Sequence, residues 1–419
     1  MIRSLILLLT VAACLIACQK NGDDTPTPAL PLPLQPFPLF TLIIDPSFKT
    51  DTGNNWVIVN DATSGEPVAF KPFESGQTIK LETASDLPAT TVTITILSYT
   101  PGPIGKGYYG KTYFGIPKAE TWTLKTPAYE TNTTPGSSFD YYVSITTDKK
   151  PKEITLSDNW GATLKDSYGI SGGFALKGAV NPGAPNQHLS LRLGWDVLKH
   201  KFIRDIKNTT TYTFQYEELD DFDQVVNFSF PSTNNFYLGV SGREPGSAGV
   251  GYTTCSLRSY QTSPDYFQTL NAGYLNALTN YKTELDLWYS SYQYEYANTG
   301  AIPGAISWPD PSKFKVDNTT ITNFSIGTAP DYQYRVSTWG SNASQPLIGW
   351  QFMSNSSSYL FKGLPADLKA LVPDVDLNAL TYNGTKFYTK GLTFDETWRV
   401  EFKGSALPDT VETIAVILY

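Results

Sequence analysis

Thr91-Val92-Thr93-Ile94-Thr95-Ile96 alternates without interruption. Val92, Ile94 and Ile96 share one parity and three threonines the other, which is the period of an extended strand. β-Branched residues at every position fit a pleated surface and disfavour a helix. This segment is therefore expected to be a strand with one dry face and one wet face. The same style surrounds it. Trp56-Val57-Ile58-Val59 leads into a turn-rich stretch from Asn60 to Pro67, and Thr78 to Leu81 alternates again.

Further along, Gly173–Leu176, Leu189–Leu193, Thr211–Tyr216 and Val225–Phe230 are short β-like runs separated by Gly, Pro and Asn turns. Such spacing predicts a second sandwich. Thr413 to Tyr419 is apolar on both parities and is expected to be a central strand. Asn383-Gly384 lies between alternating runs and predicts a type I′ hairpin turn. The last third also carries a helical signal. Ser263-Pro264 resembles an N-cap and first helical position, and Phe267, Leu270, Tyr274, Leu278 and Tyr281 follow at steps of three and four. An amphipathic helix is expected near 264–282, with a short helix over Pro365 to Leu371. The expected class is mainly β: two or three β-sandwich-like domains, with one amphipathic helix in the C-terminal third. The domains are expected at 41–148, 149–245 and 246–419, with breaks at the lysine-rich 148–152 and the loop at 243–249.

Charged residues make up 17% of the 419-residue chain and aromatic ones 14%. The first figure is below the roughly 25% of ordinary soluble domains. Polarity comes instead from Thr, Ser, Asn, Tyr and Gln, as in exported β-proteins. With 31 basic and 39 acidic residues the net charge is −8. No Lys/Arg cluster offers a footprint for nucleic acid.

The first residues carry an address. Arg3 precedes an apolar run from Leu5 to Ala17, broken only by Thr10, which is too short to span a bilayer and suits a signal-peptide core. Leu15-Ile16-Ala17-Cys18 closes it, and Gln19 to Asp24 are polar. This stretch resembles the lipobox of bacterial lipoproteins, and the residues after it resemble the export signal of Bacteroidota surface lipoproteins. The resemblance implies cleavage after residue 17, acylation of Cys18 with palmitate-type lipid, and a place on the outer membrane, facing the cell surface or else the periplasm. Val11-Ala12-Ala13-Cys14 fits the same pattern but would leave an apolar core of only about eight residues. Residues 18–40, with prolines at 26, 28, 31, 33, 36 and 38, are expected to form a lipidated tether of polyproline II character. Cys14 leaves with the signal and Cys18 takes lipid. Cys255 then has no intrachain partner and is expected to be a buried apolar side chain in a strand.

Val57-x-Val59-x-Asp61-x-Thr63-x-Gly65-Glu66-Pro67 resembles the start of transthyretin-like, carboxypeptidase-regulatory-like β-sandwich modules. The Gly-Ala-x-Val segment usual in those modules does not follow. No dinucleotide, phosphate-loop, Gly-x-Ser-x-Gly or His-Glu-x-x-His motif occurs. Two histidines cannot complete a three-histidine zinc site. No cofactor, no metal and no catalytic residue is assigned. The densest carboxylate run, Glu217 to Asp223, lacks the spacing of a calcium loop.

Aromatics carry the remaining functional signal. Trp288, Tyr292, Tyr294 and Tyr296 share parity, so one strand would present all four on a single face, and Tyr332, Tyr334 and Val336 form a second stripe. Such a face is either the dry interior or a platform on which sugar rings stack. The expectation is a lipid-anchored, non-catalytic surface protein that binds a glycan or a protein partner at the outer membrane. Its alternatives are a carboxylate-based glycoside hydrolase, whose acid pair sequence cannot reveal, and a structural stalk or adhesin.

Overall fold

The computed structural model describes residues 36–48, 55–102, 105–126, 136–195, 197–247, 249–260, 265–341 and 346–419. Cys14, Cys18 and the expected tether up to residue 35 lie outside them. The protein is mainly β. Its spine is one twelve-stranded sheet, in the order Tyr252–Ser259, Phe236–Arg243, Thr279–Trp288, Tyr292–Gly300, Val411–Leu418, Thr381–Lys390, Tyr334–Gly340, Leu347–Ser354, Gly105–Pro117, Thr91–Gly102, Asn55–Asp61 and Pro67–Pro72. Every neighbouring pair is antiparallel except Leu347–Ser354 with Gly105–Pro117.

One face of this sheet is buried along its length. Leu238, Leu285, Leu287, Tyr294, Tyr296 and Val416 pack there against the paired strands Gln224–Thr233 and Phe267–Tyr274, which supply Phe228, Leu270 and Tyr274. Trp339, Trp350 and Phe352 continue the layer beneath the 359–377 segment. Among the described residues, the opposite face is covered at one end only. There Val57, Ile94, Tyr113 and Met353 meet a three-stranded sheet (Phe37–Ile44, Thr78–Thr83, Glu120–Leu124) and the helix Phe394–Lys403. Thr393 and Glu396 close a capping box at the start of that helix, and Gly404 ends it with φ +67°. Its Phe394, Trp398 and Phe402 face inward, and Phe402 stacks on Trp122 at 4.1 Å.

A separate β-sandwich holds two four-stranded sheets. Val143, Ile145, Leu156, Leu176, Leu189 and Leu191 fill it. Its Pro151–Asp158 and Gln187–Leu193 strands lie against the sheet-edge strand Tyr252–Ser259, to which Ser190 Oγ donates a hydrogen bond at the Thr254 carbonyl (2.8 Å).

Several expectations need correction. Ser263 and Pro264 lie outside the described residues, and the rest of the expected 264–282 helix belongs to two strands, Phe267–Tyr274 and Thr279–Trp288, joined by a turn in which the Leu278 amide donates to the Leu275 carbonyl at 3.1 Å. The apparent helical step belongs to a strand, a turn and a second strand in succession. The α-helices among the described residues are Ala366–Leu371, as expected from Pro365 to Leu371, and Phe394–Lys403. Asn383-Gly384 is not a hairpin turn. It lies inside Thr381–Lys390, where Thr338 pairs with Gly384 and Trp339 with Tyr382, so Asn383 is bulged. Nor is the threonine face of Thr91–Gly102 wet: Thr93 and Thr95 are buried, and Thr95 and Thr112 hydroxyls hydrogen-bond at 2.8 Å. The Val411–Leu418 strand is interior, as expected. Phe139–Thr146 pairs with Gly173–Val180, and Phe236–Arg243 with Thr279–Trp288. The tether gives way at Phe37 to a strand whose Leu39 and Phe40 are buried.

Candidate functional site

Where the second face of the large sheet is uncovered, its side chains line a trough. Strand register sets its floor. Tyr237 pairs with Asp286, Asp286 with Glu295, Glu295 with Ala415, Ala415 with Tyr388, and Tyr388 with Tyr334. Directly opposed residues share a face, so these six side chains form one lateral row across six strands, roughly 24 Å at about 4.8 Å per strand. Ala415 and Ala297 are short, and the depression opens above them.

Three adjoining cavities open on this face, two of them on the row and one displaced along the strands from it. The first, about 510 Å³, includes Arg243, Lys282, Glu284 and Asp409 in its lining, beside Gly161 of the sandwich. A central one of about 420 Å³ is lined by Tyr237, Glu284, Asp286, Glu295, Lys386 and Tyr388. The third, about 540 Å³, shares Lys386 and Tyr388 and extends to Tyr334, Gln351 and Lys111. Lys111 is ion-paired at 2.6 Å to Glu401 on the Phe394–Lys403 helix, which walls that end.

The central chemistry is a carboxylate pair in unequal surroundings. Glu295 is ion-paired with Lys386 and lies 3.5 Å from the Gln293 amide nitrogen. Glu284 pairs with Lys282 at 2.6 Å. Asp286 is half-buried and has neither a hydrogen bond nor an ion pair among the described residues. Burial, then the charges of Glu295 and Glu284, push its carboxyl up to about 6 against the weaker pull of Lys386 and Arg258. Tyrosines flank the acids. Tyr388 stacks on Tyr334 at 4.2 Å with the Lys386 ammonium 4.7 Å from its ring, and Arg258 lies 5.2 Å from the Tyr237 ring.

The aromatic stripe is split. Trp288 ends one strand and Tyr292 begins the next, so the four residues do not share a strand. Trp288 pairs with Gln293, while Tyr294 faces Leu287, which puts Trp288 on the opposite side of the sheet from Tyr294 and Tyr296. Tyr294 and Tyr296 are each 1% exposed in the core, and Tyr292 packs at its margin, stacked on Tyr289 at 4.5 Å. Tyr334 does reach the trough.

Other candidates are occupied. Asp221 and Asp220 pair with Lys199 (2.7 Å) and Lys201 (3.1 Å), and Asp223 accepts the Asn276 amide at 2.7 Å. Among the described residues no three metal-ligating side chains converge. Cys255 is fully buried in its strand, as expected, and burial pushes its thiol well up. No protein-family model matches this chain, and comparisons with curated proteins and with solved structures find no match either.

Proposed function

We propose that the trough binds a linear, neutral glycan on a protein held at the outer membrane through Cys18. The observation that carries this reading is continuity. Glu284 lines both the first and second cavities, and Lys386 and Tyr388 line both the second and third. A chain laid across the strands would meet tyrosine rings at Tyr237 and Tyr388, with carboxylates between them to accept hydrogen bonds from sugar hydroxyls. The three carboxylates of the central cavity face a single lysine and disfavour sulfated or uronate-rich polymers. The Leu15-Ile16-Ala17-Cys18 sequence supports the anchor, and with it a glycan or protein partner at the cell surface.

Calorimetry of the mature chain against neutral and anionic oligosaccharides tests the reading. Binding of a neutral chain, weakened about 2- to 12-fold by Tyr237→Ala or Tyr388→Ala, is expected from roughly 0.5–1.5 kcal/mol per aromatic contact. Failure to bind any neutral oligosaccharide overturns it. Palmitate labelling that survives Cys18→Ala overturns the anchor.

A further inference from the structure

The structure assigns a chemical task to the centre of this trough: we propose that Asp286 and Glu295 are the acid and the nucleophile of a retaining glycoside hydrolase. The inference rests on the glycan reading of the trough and goes beyond binding.

Geometry comes first. Asp286 and Glu295 are directly opposed on adjacent antiparallel strands. Such pairs hold their Cβ atoms about 4.5–5.5 Å apart on one face. Their carboxyls extend from those Cβ atoms on the same side of the sheet, which puts both groups within reach of one glycosidic bond. Both side chains line the central cavity, midway along the trough, so a bound chain would cross them with rings on either side.

Their surroundings then separate the roles. Glu295 is ion-paired with Lys386. Asp286 is half-buried, faces two carboxylates and has no hydrogen-bond donor among the described residues, so it retains its proton into the weakly acidic range. A structural acid on this sheet face would be expected to have a partner, as Glu284 and Glu295 do. Asp286 keeps its proton free for a group entering from the cavity.

The reaction balances with water alone. A Glu295 oxygen bonds to the anomeric carbon as the bond from that carbon to the leaving oxygen breaks, and the leaving oxygen takes the Asp286 proton. Water then attacks the same carbon, gives a proton back to Asp286 and frees Glu295. One water is consumed per bond cut, nothing is oxidised, and two inversions leave the anomeric configuration retained.

The test uses the mature chain with cello-, xylo-, laminari-, manno- and chito-oligosaccharides, following binding by calorimetry and bond cleavage by reducing-end release. Asp286→Asn and Glu295→Gln are near-isosteric and relieve like-charge repulsion, so circular dichroism should report intact folds. The expected result is cleavage by wild type with retained configuration, reduced about 10²- to 10⁴-fold in each variant while binding persists. Binding without cleavage in wild type overturns the catalytic assignment and leaves the glycan reading standing. Cleavage undiminished in either variant also overturns the assignment. No binding and no cleavage overturns both.

Discussion

Arg192 donates from Nε to Glu153 Oε2 at 2.9 Å, with side-chain exposures of 0% and 2%. The pair sits where the sandwich meets the large sheet. Arg192 also reaches the Asn271 carbonyl at 2.7 Å and the Trp195 carbonyl at 2.7 Å, and Glu153 accepts the Ser256 amide. The pair thus ties two sandwich strands to the neighbouring layer, Arg192 through Asn271 of Phe267–Tyr274 and Glu153 through Ser256 of Tyr252–Ser259. Satisfied in this way, the charges tolerate burial; separated, they would not.

Arg192→Met should therefore destabilise the protein by about 3–5 kcal/mol, because it leaves Glu153 charged and buried without its partner. Glu153→Leu combined with Arg192→Met should recover much of that loss. Urea denaturation of the single and double variants measures both. A single variant as stable as wild type would mean the pair does not hold the two layers together.

Tyr294 lies at 1% exposure, and its hydroxyl donates to the Pro309 carbonyl at 2.6 Å. Tyr294→Ala should cost about 3–5 kcal/mol, as large aromatic truncations in cores do. Tyr237→Ala, on the trough face, should cost clearly less. Equal losses in thermal unfolding would contradict the division of the sheet into a dry face and a trough.

Much of the fold was legible where period two is undisturbed. Thr91–Gly102 and Val411–Leu418 are strands because alternating or continuous β-branched residues leave the chain few other choices. The 267–281 segment misled because Leu275 and Leu278 bracket a tight turn, which sets core residues of two strands at helical steps. The Thr393-x-x-Glu396 capping box was a readable signal for the Phe394–Lys403 helix. The trough was harder. Its row draws on five separated segments, and register alone brings them together. The signal lay in the parity opposite to the tyrosines: Glu284 and Asp286 alternate with Leu285 and Leu287, and Gln293 and Glu295 with Tyr294 and Tyr296.

His188 is fully buried, with Nδ1 3.1 Å from the Thr253 carbonyl and its ring 5.5 Å from that of His200. Burial first, and then the charge of His200, lower it from 6.5 to about 3. Below about pH 6.5 the unfolded chain takes up a proton that the folded one refuses. Stability from this residue is therefore present above 6.5 and falls as pH drops toward 3, by at most about 1.4 kcal/mol per pH unit. His188→Gln should flatten that slope. Parallel slopes in urea titrations between pH 6 and 4 would contradict a neutral, buried imidazole.

Asp286 works in the opposite sense. Its folded-state value near 6 lies above the ordinary 3.8. Between about pH 4 and 6 the folded protein holds a proton that the unfolded chain has released. The stability this supplies is complete below 4, declines as pH rises, and is gone above 6. Near neutrality the ionised carboxyl instead faces Glu295 and Glu284 without a partner of its own. Asp286→Asn removes this titration. The variant should match wild type at pH 4 and exceed it by about 1–3 kcal/mol at pH 7.5, the upper figure being two pH units of proton affinity. His188 is present in both chains and cancels in the difference. A group kept at such a cost in the middle of a trough is what a working site would show, since active sites commonly trade stability for chemistry. Denaturation of both proteins at the two pH values decides the matter. An Asn variant no more stable at pH 7.5 would mean that Asp286 is comfortably solvated, and the case for a proton held there would fall with it.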